Sequence, residues 1–279
     1  MAGGRDAAQN GEAEVIIVKF GMRECLKSEV YLNFPYYNRP DGPVGMDYYF
    51  WVVRSADNVT VVDTGFSTEA GAKRGRTMLI EPAQALSHLG ISPTEVETVV
   101  ITHGHYDHAG NVKDFPNAEI VMAQAEYDFV TSGMIRRPQF RFSTDAENVA
   151  DLKALADQGR LRLFSDTLQL APGLTLHQVG GHTPGQTVVT VRTSEGEVTL
   201  ASDAVHYYEE LEADMPFTLV ADVPGTYRAF DRVMELATNH PSLIVAGHDP
   251  QVQKRFAPDA EGPLAGLASR VGRIDRERD

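Results

Sequence analysis

The segment Thr102-His103-Gly104-His105-Tyr106-Asp107-His108 is the densest group of metal-binding side-chain types in the sequence, and it directly follows the apolar run at 99–101. Such crowding is unfavourable unless a cation is bound, because the imidazoles oppose one another's charging and the carboxylate needs a partner. In an extended loop, His103 and His105 can point toward one ion, while Asp107 and His108 start the next turn and face a neighbouring position. The segment therefore predicts two adjacent metal sites.

Other apolar runs also end in a polar residue, and these residues are Asp63, His182, Asp203 and His248. The runs read as strands, and side chains at the carboxyl ends of neighbouring strands converge on one edge of a sheet. A four- or five-coordinate zinc ion at each site needs donors from outside the 102–108 segment. His182, Asp203 and His248 are the candidates for these additional ligands.

The composition limits the partners that the chain can have. It has 279 residues with 39 acidic against 25 basic side chains, a formal net charge of −14, so nucleic acid and anionic membrane surfaces would be repelled. No stretch reaches the ~18 apolar residues of a membrane span. The single cysteine, Cys25, excludes a multi-cysteine zinc cluster. These features predict a cytoplasmic protein that acts on a small molecule, and they leave open whether it forms a homodimer.

The order of the sequence patterns predicts a mixed α/β fold. Residues 1–13 are rich in glycine, alanine and charge and are expected to be a disordered leader, with residues 14–279 as a single domain. Runs of β-branched residues alternate with helical patterns at 70–89, 124–131, 146–156 and 225–238. We expect Glu126 on a solvated helix face, His177 inside a strand and the aromatic run at 48–51 in the core. The irregular segment 132–169 fits either a lid or an ordinary surface element.

The pattern His103-x-His105-x-Asp107-His108, followed by His182, Asp203 and His248 in that order, resembles the full two-metal ligand set of the metallo-β-lactamase superfamily of hydrolases. The resemblance runs from about residue 15 to about residue 256, and it implies an αββα four-layer sandwich. It implies that His103, His105 and His182 hold one metal ion, that Asp107, His108 and His248 hold a second, and that Asp203 bridges them. The ions would be divalent, with zinc favoured over iron, manganese or cobalt. Asp63 would orient a ligand histidine.

Individual residues narrow the choice of branch within that superfamily. The intact His105 argues against the diiron flavoproteins, and Asp203 argues against the β-lactamases proper. The branches that remain are lactonases, glyoxalase II type thioesterases and mononuclear iron persulfide dioxygenases, in which His103, His182 and Asp203 would hold the iron. The segment 181–186 and the ending at 247–249 look most like the N-acyl homoserine lactonases. The resemblance thus implies a metal-dependent hydrolase that opens a lactone or a related ester.

The implied mechanism is attack of a metal-bridging hydroxide on the substrate carbonyl, with Asp107 or Asp203 carrying a proton to the leaving alkoxide. The lactonase branch commonly has a tyrosine three residues after the bridging aspartate, but this sequence has His206 there, followed by Tyr207 and Tyr208. We therefore expect one of these three side chains to polarise the carbonyl oxygen.

Overall fold

The computed structural model describes residues 12–56, 58–259 and 261–273. Its strands are β1 Glu14–Leu26, β2 Pro43–Arg54, β3 Val59–Val62, β4 Thr77–Met78, β5 Thr98–Val100, β6 Glu119–Ala123, β7 Leu161–Phe164, β8 Thr167–Ala171, β9 Leu174–Gln178, β10 Thr187–Thr193, β11 Gly196–Ser202, β12 Ile244–Ala246, β13 Ala257–Pro258 and β14 Ala268–Val271. Its α-helices are α1 Lys27–Val30, α2 Thr68–Lys73, α3 Pro82–His88, α4 Gln124–Thr131, α5 Pro138–Arg141, α6 Ala146–Asp157, α7 Tyr208–Ala213, α8 Val223–Leu236 and α9 Val252–Arg255.

The strands form two sheets. In the first sheet the order is β13-β14-β1-β2-β3-β5-β6-β7, with β4 paired to β1. Strands β3, β5, β6 and β7 are parallel, so their carboxyl ends lie along one edge. The second sheet has the order β12-β11-β10-β9-β8, and β11 and β12 are its parallel pair. Each sheet therefore presents the ends of parallel strands, where ligand side chains can be grouped.

Alternation along the long β1 and β2 strands builds two cores. On β1, Val15 and Ile17 face the second sheet, while Ile16, Val18 and Phe20 face the helices on the opposite side of the first sheet. The outer face of the second sheet is covered by the amphipathic helix α8. The layers are thus helices, sheet, sheet and helix, and the expected αββα sandwich is confirmed. Among the described residues, no helix is long and apolar enough to cross a membrane.

The expected single helix at 70–89 is wrong. Helix α2 ends before Gly75, whose φ of +67° lies in the left-handed region, and the chain then forms the short strand β4 against β1. Helix α3 starts only at Pro82. Most of the expected leader, residues 1–11, lies outside the described residues, but Ala13 is buried and its N–H donates to the Arg192 carbonyl over 2.9 Å.

Candidate metal centre

The structure gathers all seven sequence-identified donors at one edge of the sandwich. The segment from His103 to His108 follows β5 of the first sheet. The other three follow strands of the second sheet, with His182 after β9, Asp203 after β11 and His248 after β12. All seven side chains are buried, although histidine and aspartate seldom are unless they bind a partner.

The donor atoms fall into two groups, and within each group they lie within 4.8 Å of one another. The first group comprises His103, His105, His182 and Asp203, and the second comprises Asp107, His108 and His248. These groups have the memberships that the family resemblance implies for two metal ions. Assignment of the seven residues as ligands remains a proposal that rests on this grouping.

The Asp203 carboxylate lies between the two groups and directs one oxygen toward each. Its Oδ1 is 3.2 Å from Nε2 of His108 and 3.1 Å from Nε2 of His248. Its Oδ2 is 3.4 Å from Nε2 of His182 and 3.7 Å from Nε2 of His103. A carboxylate with this orientation can bridge two cations.

The chemistry of the unpaired donors tests whether divalent ions fit here. The Nε2 atoms of His103, His108 and His248 and Oδ1 of Asp203 are buried without a hydrogen-bond partner in the described chain, a costly state that a bound cation would relieve. Burial lowers the pKa of His105 to about 4 and, together with neighbouring imidazoles, holds that of His103 far below its usual range. Neutral imidazoles are the form that binds metal, so the donor set fits two ions.

Asp203 and His108 carry the opposing charges of the group. Burial opposes ionisation of Asp203, but the surrounding histidines, His248 and His108 foremost, hold its pKa well below the usual range. Burial also disfavours charge on His108, yet Asp203 and Asp63 raise its pKa well above the usual value. A proton and a divalent ion would therefore compete for Nε2 of His108.

Outer contacts hold the ligand rings in place. Asp63, which has a left-handed backbone with φ +62°, accepts the backbone N–H of Thr102 through Oδ1 and lies 2.7 Å from Nδ1 of His108 through Oδ2. This is the contact that the resemblance implies. On the other side, Nδ1 of His248 lies 2.7 Å from the carbonyl oxygen of Asp47. Both contacts leave the Nε2 atoms directed at the centre.

Glu126 corrects a prediction, since it is not on a solvated helix face. It is fully buried, and its two oxygens accept the backbone N–H groups of Gly104 (2.9 Å) and Gly185 (3.0 Å). A Cβ at Gly185 would collide with the backbone of Glu126. The carboxylate thus ties the His103–His105 turn to the loop that carries His182. Its neighbours on α4 gave no sequence signal of this role.

His206, Tyr207 and Tyr208 do not line the cavity beside the metal centre. Tyr208 starts helix α7 and turns away, and its hydroxyl donates to the Ile244 carbonyl over 2.9 Å. The Tyr207 hydroxyl is buried near the Cys25 thiol. The expectation that either tyrosine reaches a substrate carbonyl is therefore corrected.

His206 instead contacts Asp203 and does not line the cavity. Its Nε2 is 3.1 Å from Asp203 Oδ2, its Nδ1 is 3.2 Å from Oε1 of the buried Glu210, and its ring stacks on Phe217. Burial opposes charge on His206, but Asp203 and Glu210 raise its pKa to about 9. This residue fixes the orientation of Asp203 and is shielded from the cavity.

A cavity of about 320 Å³ opens directly onto the donors. Five of the metal donors line this cavity, namely His105, Asp107, His182, Asp203 and His248, and its other walls include Arg23, Met46, Tyr48, Arg76, Phe142 and Leu219.

Tyr48 was expected in the core; it is buried but also lines this cavity and packs edge-on against His248. The irregular 132–169 segment contributes Phe142 and Ser143 to the wall. His177 lies outside the site, with Nε2 3.1 Å from Thr190 Oγ1.

Known proteins share this architecture. The N-acyl homoserine lactonase AttM of Azorhizobium caulinodans is 29% identical over 180 residues, which is 60% of this chain and 64% of that protein. An N-acyl homoserine lactonase of Bacillus thuringiensis is 24% identical over 61% of this chain and 62% of that protein. The chain thus spans less than two thirds of the length of these curated relatives.

The solved structures that resemble the chain have the same fold. A quorum-quenching N-acyl homoserine lactone lactonase superposes with a TM-score of 0.71 at 22% identity, covering 85% of this chain and 92% of that one. An N-acyl homoserine lactone hydrolase with N-hexanoyl-L-homoserine at its catalytic metal centre superposes with a TM-score of 0.73 at 20% identity. The superposition covers 90% of this chain and 99% of that one. The model of the metallo-β-lactamase superfamily matches residues 45–248, a span that contains every donor of the centre. The chain belongs to the metallo-β-lactamase superfamily.

Proposed function

We propose that this chain is a dinuclear metal-dependent hydrolase that opens a lactone, with zinc as its native ion. The observation that carries the proposal is Asp203, whose two carboxylate oxygens face two separate donor groups at the floor of a cavity. Seven buried donors are more than a single ion needs. The names of the relatives favour a lactone as the substrate.

Bound divalent ions would supply Lewis acidity and lower the pKa of a coordinated water toward neutrality. The chain's own residues orient the metal donors and position the substrate. Asp63 and the Asp47 carbonyl hold His108 and His248 in fixed ring orientations, so little reorganisation is needed when charge develops. The cavity walls can position a substrate beside the donors.

Proton transfer to the leaving alkoxide is assigned to Asp107. Asp203 and Asp107 both line the cavity, but the two Asp203 oxygens face both donor groups, whereas Asp107 belongs to the second group alone. Its Oδ2 is 3.9 Å from Nε2 of both His108 and His248, so Oδ2 faces the second donor group and the other oxygen, Oδ1, is the candidate for proton transfer. That oxygen can accept a proton from the attacking water and return it to the leaving group.

The alternatives differ from this proposal in ways that can be measured. A persulfide dioxygenase needs one iron, held by His103, His182 and Asp203, and has no use for the second group of donors. A glyoxalase II type thioesterase shares the two-metal centre but acts on a thioester. Substrate and metal stoichiometry therefore separate the three activities.

The test is metal analysis of protein purified without chelator, combined with turnover of a lactone, a thioester and a persulfide. We expect close to two divalent ions per chain and lactone turnover that a chelator abolishes and added zinc restores. One tightly held iron together with oxygen uptake would overturn the proposal in favour of the dioxygenase. Two ions with thioester turnover alone would replace the lactone by a thioester.

A further inference from the structure

Two arginines stand side by side in the cavity wall. Arg23 lies on β1, opposite Met46 of β2. Strand β4 pairs antiparallel with β1, with Gly21 opposite Met78 and Met22 opposite Thr77. Continuing this register by one residue places Arg76 across from Arg23, and both side chains line the cavity.

Neither guanidinium forms an ion pair in the part of the chain that the structure describes. Arg23 donates from Nε to the Met46 sulfur over 3.3 Å. Arg76 donates from Nε to the Tyr106 hydroxyl and from Nη1 to the Arg74 carbonyl. By contrast, the neighbouring Arg74 pairs with Asp145.

The acidic side chains that line the same cavity have other partners than these two arginines. Glu29 is exposed and accepts the backbone N–H of Leu26, while Asp107 and Asp203 belong to the metal centre. In a chain with 14 more acidic than basic groups, two half-buried arginines without a carboxylate partner are unexpected. Like charges directly opposite each other on paired strands repel, and an anion placed between them would turn that repulsion into attraction.

We propose that Arg23 and Arg76 clamp a carboxylate carried by the substrate, so that the preferred substrate is an anionic lactone. This inference rests on the proposed lactonase function and specifies its substrate class. Within the described part of the chain, the terminal Nη1 and Nη2 atoms of Arg23 have no hydrogen-bond partner, and a planar guanidinium edge matches the two oxygens of a carboxylate. The Met46 sulfur holds the Arg23 side chain, and Tyr106 holds that of Arg76, so both donors are already positioned before the substrate arrives.

The experiment compares matched substrates on the zinc-loaded protein. One pair is N-succinyl homoserine lactone and its neutral terminal carboxamide; a second is 5-oxotetrahydrofuran-2-carboxylate and its carboxamide. The kcat/KM ratio of acid to amide measures the effect of the substrate charge, because the reacting ring is the same within each pair, and its loss in the arginine variants assigns that effect to the clamp. We expect a preference for the acid of about 10- to 100-fold in at least one pair, since a hydrogen bond to a charged group contributes roughly 1.5–3 kcal/mol.

Arg23→Gln and Arg76→Gln should each reduce that ratio by about tenfold, acting mainly on KM, and Arg23→Lys should restore part of it. Lys153→Gln removes one positive charge from the exposed face of α6 and should leave the ratio unchanged. A variant that loses folded protein or bound metal loses activity on the acid and on the amide by the same factor, so the ratio taken within each variant is unaffected. An acid-to-amide ratio near one for both pairs in wild type, or a preference that Arg23→Gln and Arg76→Gln leave intact, would overturn the clamp while leaving the lactonase in place. If none of the four lactones is hydrolysed, both the clamp and the proposed lactonase function are overturned.

Discussion

Replacing Glu126 by glutamine tests whether one buried carboxylate holds the two ligand loops together. The substitution keeps the shape of the side chain but leaves a single acceptor oxygen, so the N–H of either Gly104 or Gly185 must face an amide NH2 group. An unsatisfied buried donor costs about 1–3 kcal/mol. For a chain of this size each kcal/mol lowers Tm by roughly 2–4 °C, so the metal-free variant should melt roughly 2–12 °C below wild type.

The same substitution, Glu126→Gln, should weaken metal binding more at the first donor group than at the second. Gly104 lies between His103 and His105, and Gly185 follows His182, so the first donor group loses its support while Asp107, His108 and His248 keep theirs. Loss of an outer contact typically lowers metal affinity about 10- to 100-fold. Competition with a chromophoric chelator should therefore show one ion released more readily and the other little changed.

The matched control is Asp128→Asn, an exposed position on the same helix that receives a hydrogen bond from Gln124. It should leave both the melting temperature and the chelator competition close to wild type. If Glu126→Gln behaves like this control in both measurements, the carboxylate does not hold the loops and the reasoning fails.

Three further substitutions test other parts of the centre. Asp203→Asn should lose bound metal and most turnover, because an amide cannot supply charge to two cations; a variant that retains two ions by elemental analysis would contradict the bridge. His206→Gln should destabilise the metal-free protein more at pH 6 than at pH 9.5 in urea unfolding, since a pKa raised from 6.5 to about 9 gives stability that is present below pH 6.5 and lost as the pH rises through 9; an equal loss at both pH values would argue against a charged His206. Tyr208→Phe should cost about 1 kcal/mol of stability by removing the bond to Ile244 with unchanged kcat, and a large fall in kcat would place its hydroxyl at the substrate after all.

The seven donors could be located from sequence because they lie in one dense segment or directly after other apolar, strand-like runs. That pattern is local, and the convergence of strand ends at a sheet edge is general. The assignment of His182 to the site of His103 and His105, and of His248 to the other site, required the family resemblance, since the sequence alone does not fix how the two sheets face each other.

The features that sequence reasoning missed depend on contacts between distant segments. Glu126 is buried because Gly104 and Gly185 approach it from two separate loops, and nothing in the 124–131 pattern contains that information. Helix 70–89 is interrupted because β1 offers a free edge to Thr77 and Met78, which outweighs local helix propensity. Tyr208 follows Asp203 closely, but the start of α7 rotates it away from the cavity.

The division of the donors between two sheets also sets the order of events during biosynthesis. The chain emerges from its amino end, so the His103–His108 turn is made early, whereas His248 is made after nearly the whole second sheet. The first donor group is complete only when His182 and Asp203 have joined the first sheet, and the second only when His248 has done so. Complete coordination of a metal ion at either group would therefore be a late step of maturation, reached once the two halves of the chain have come together.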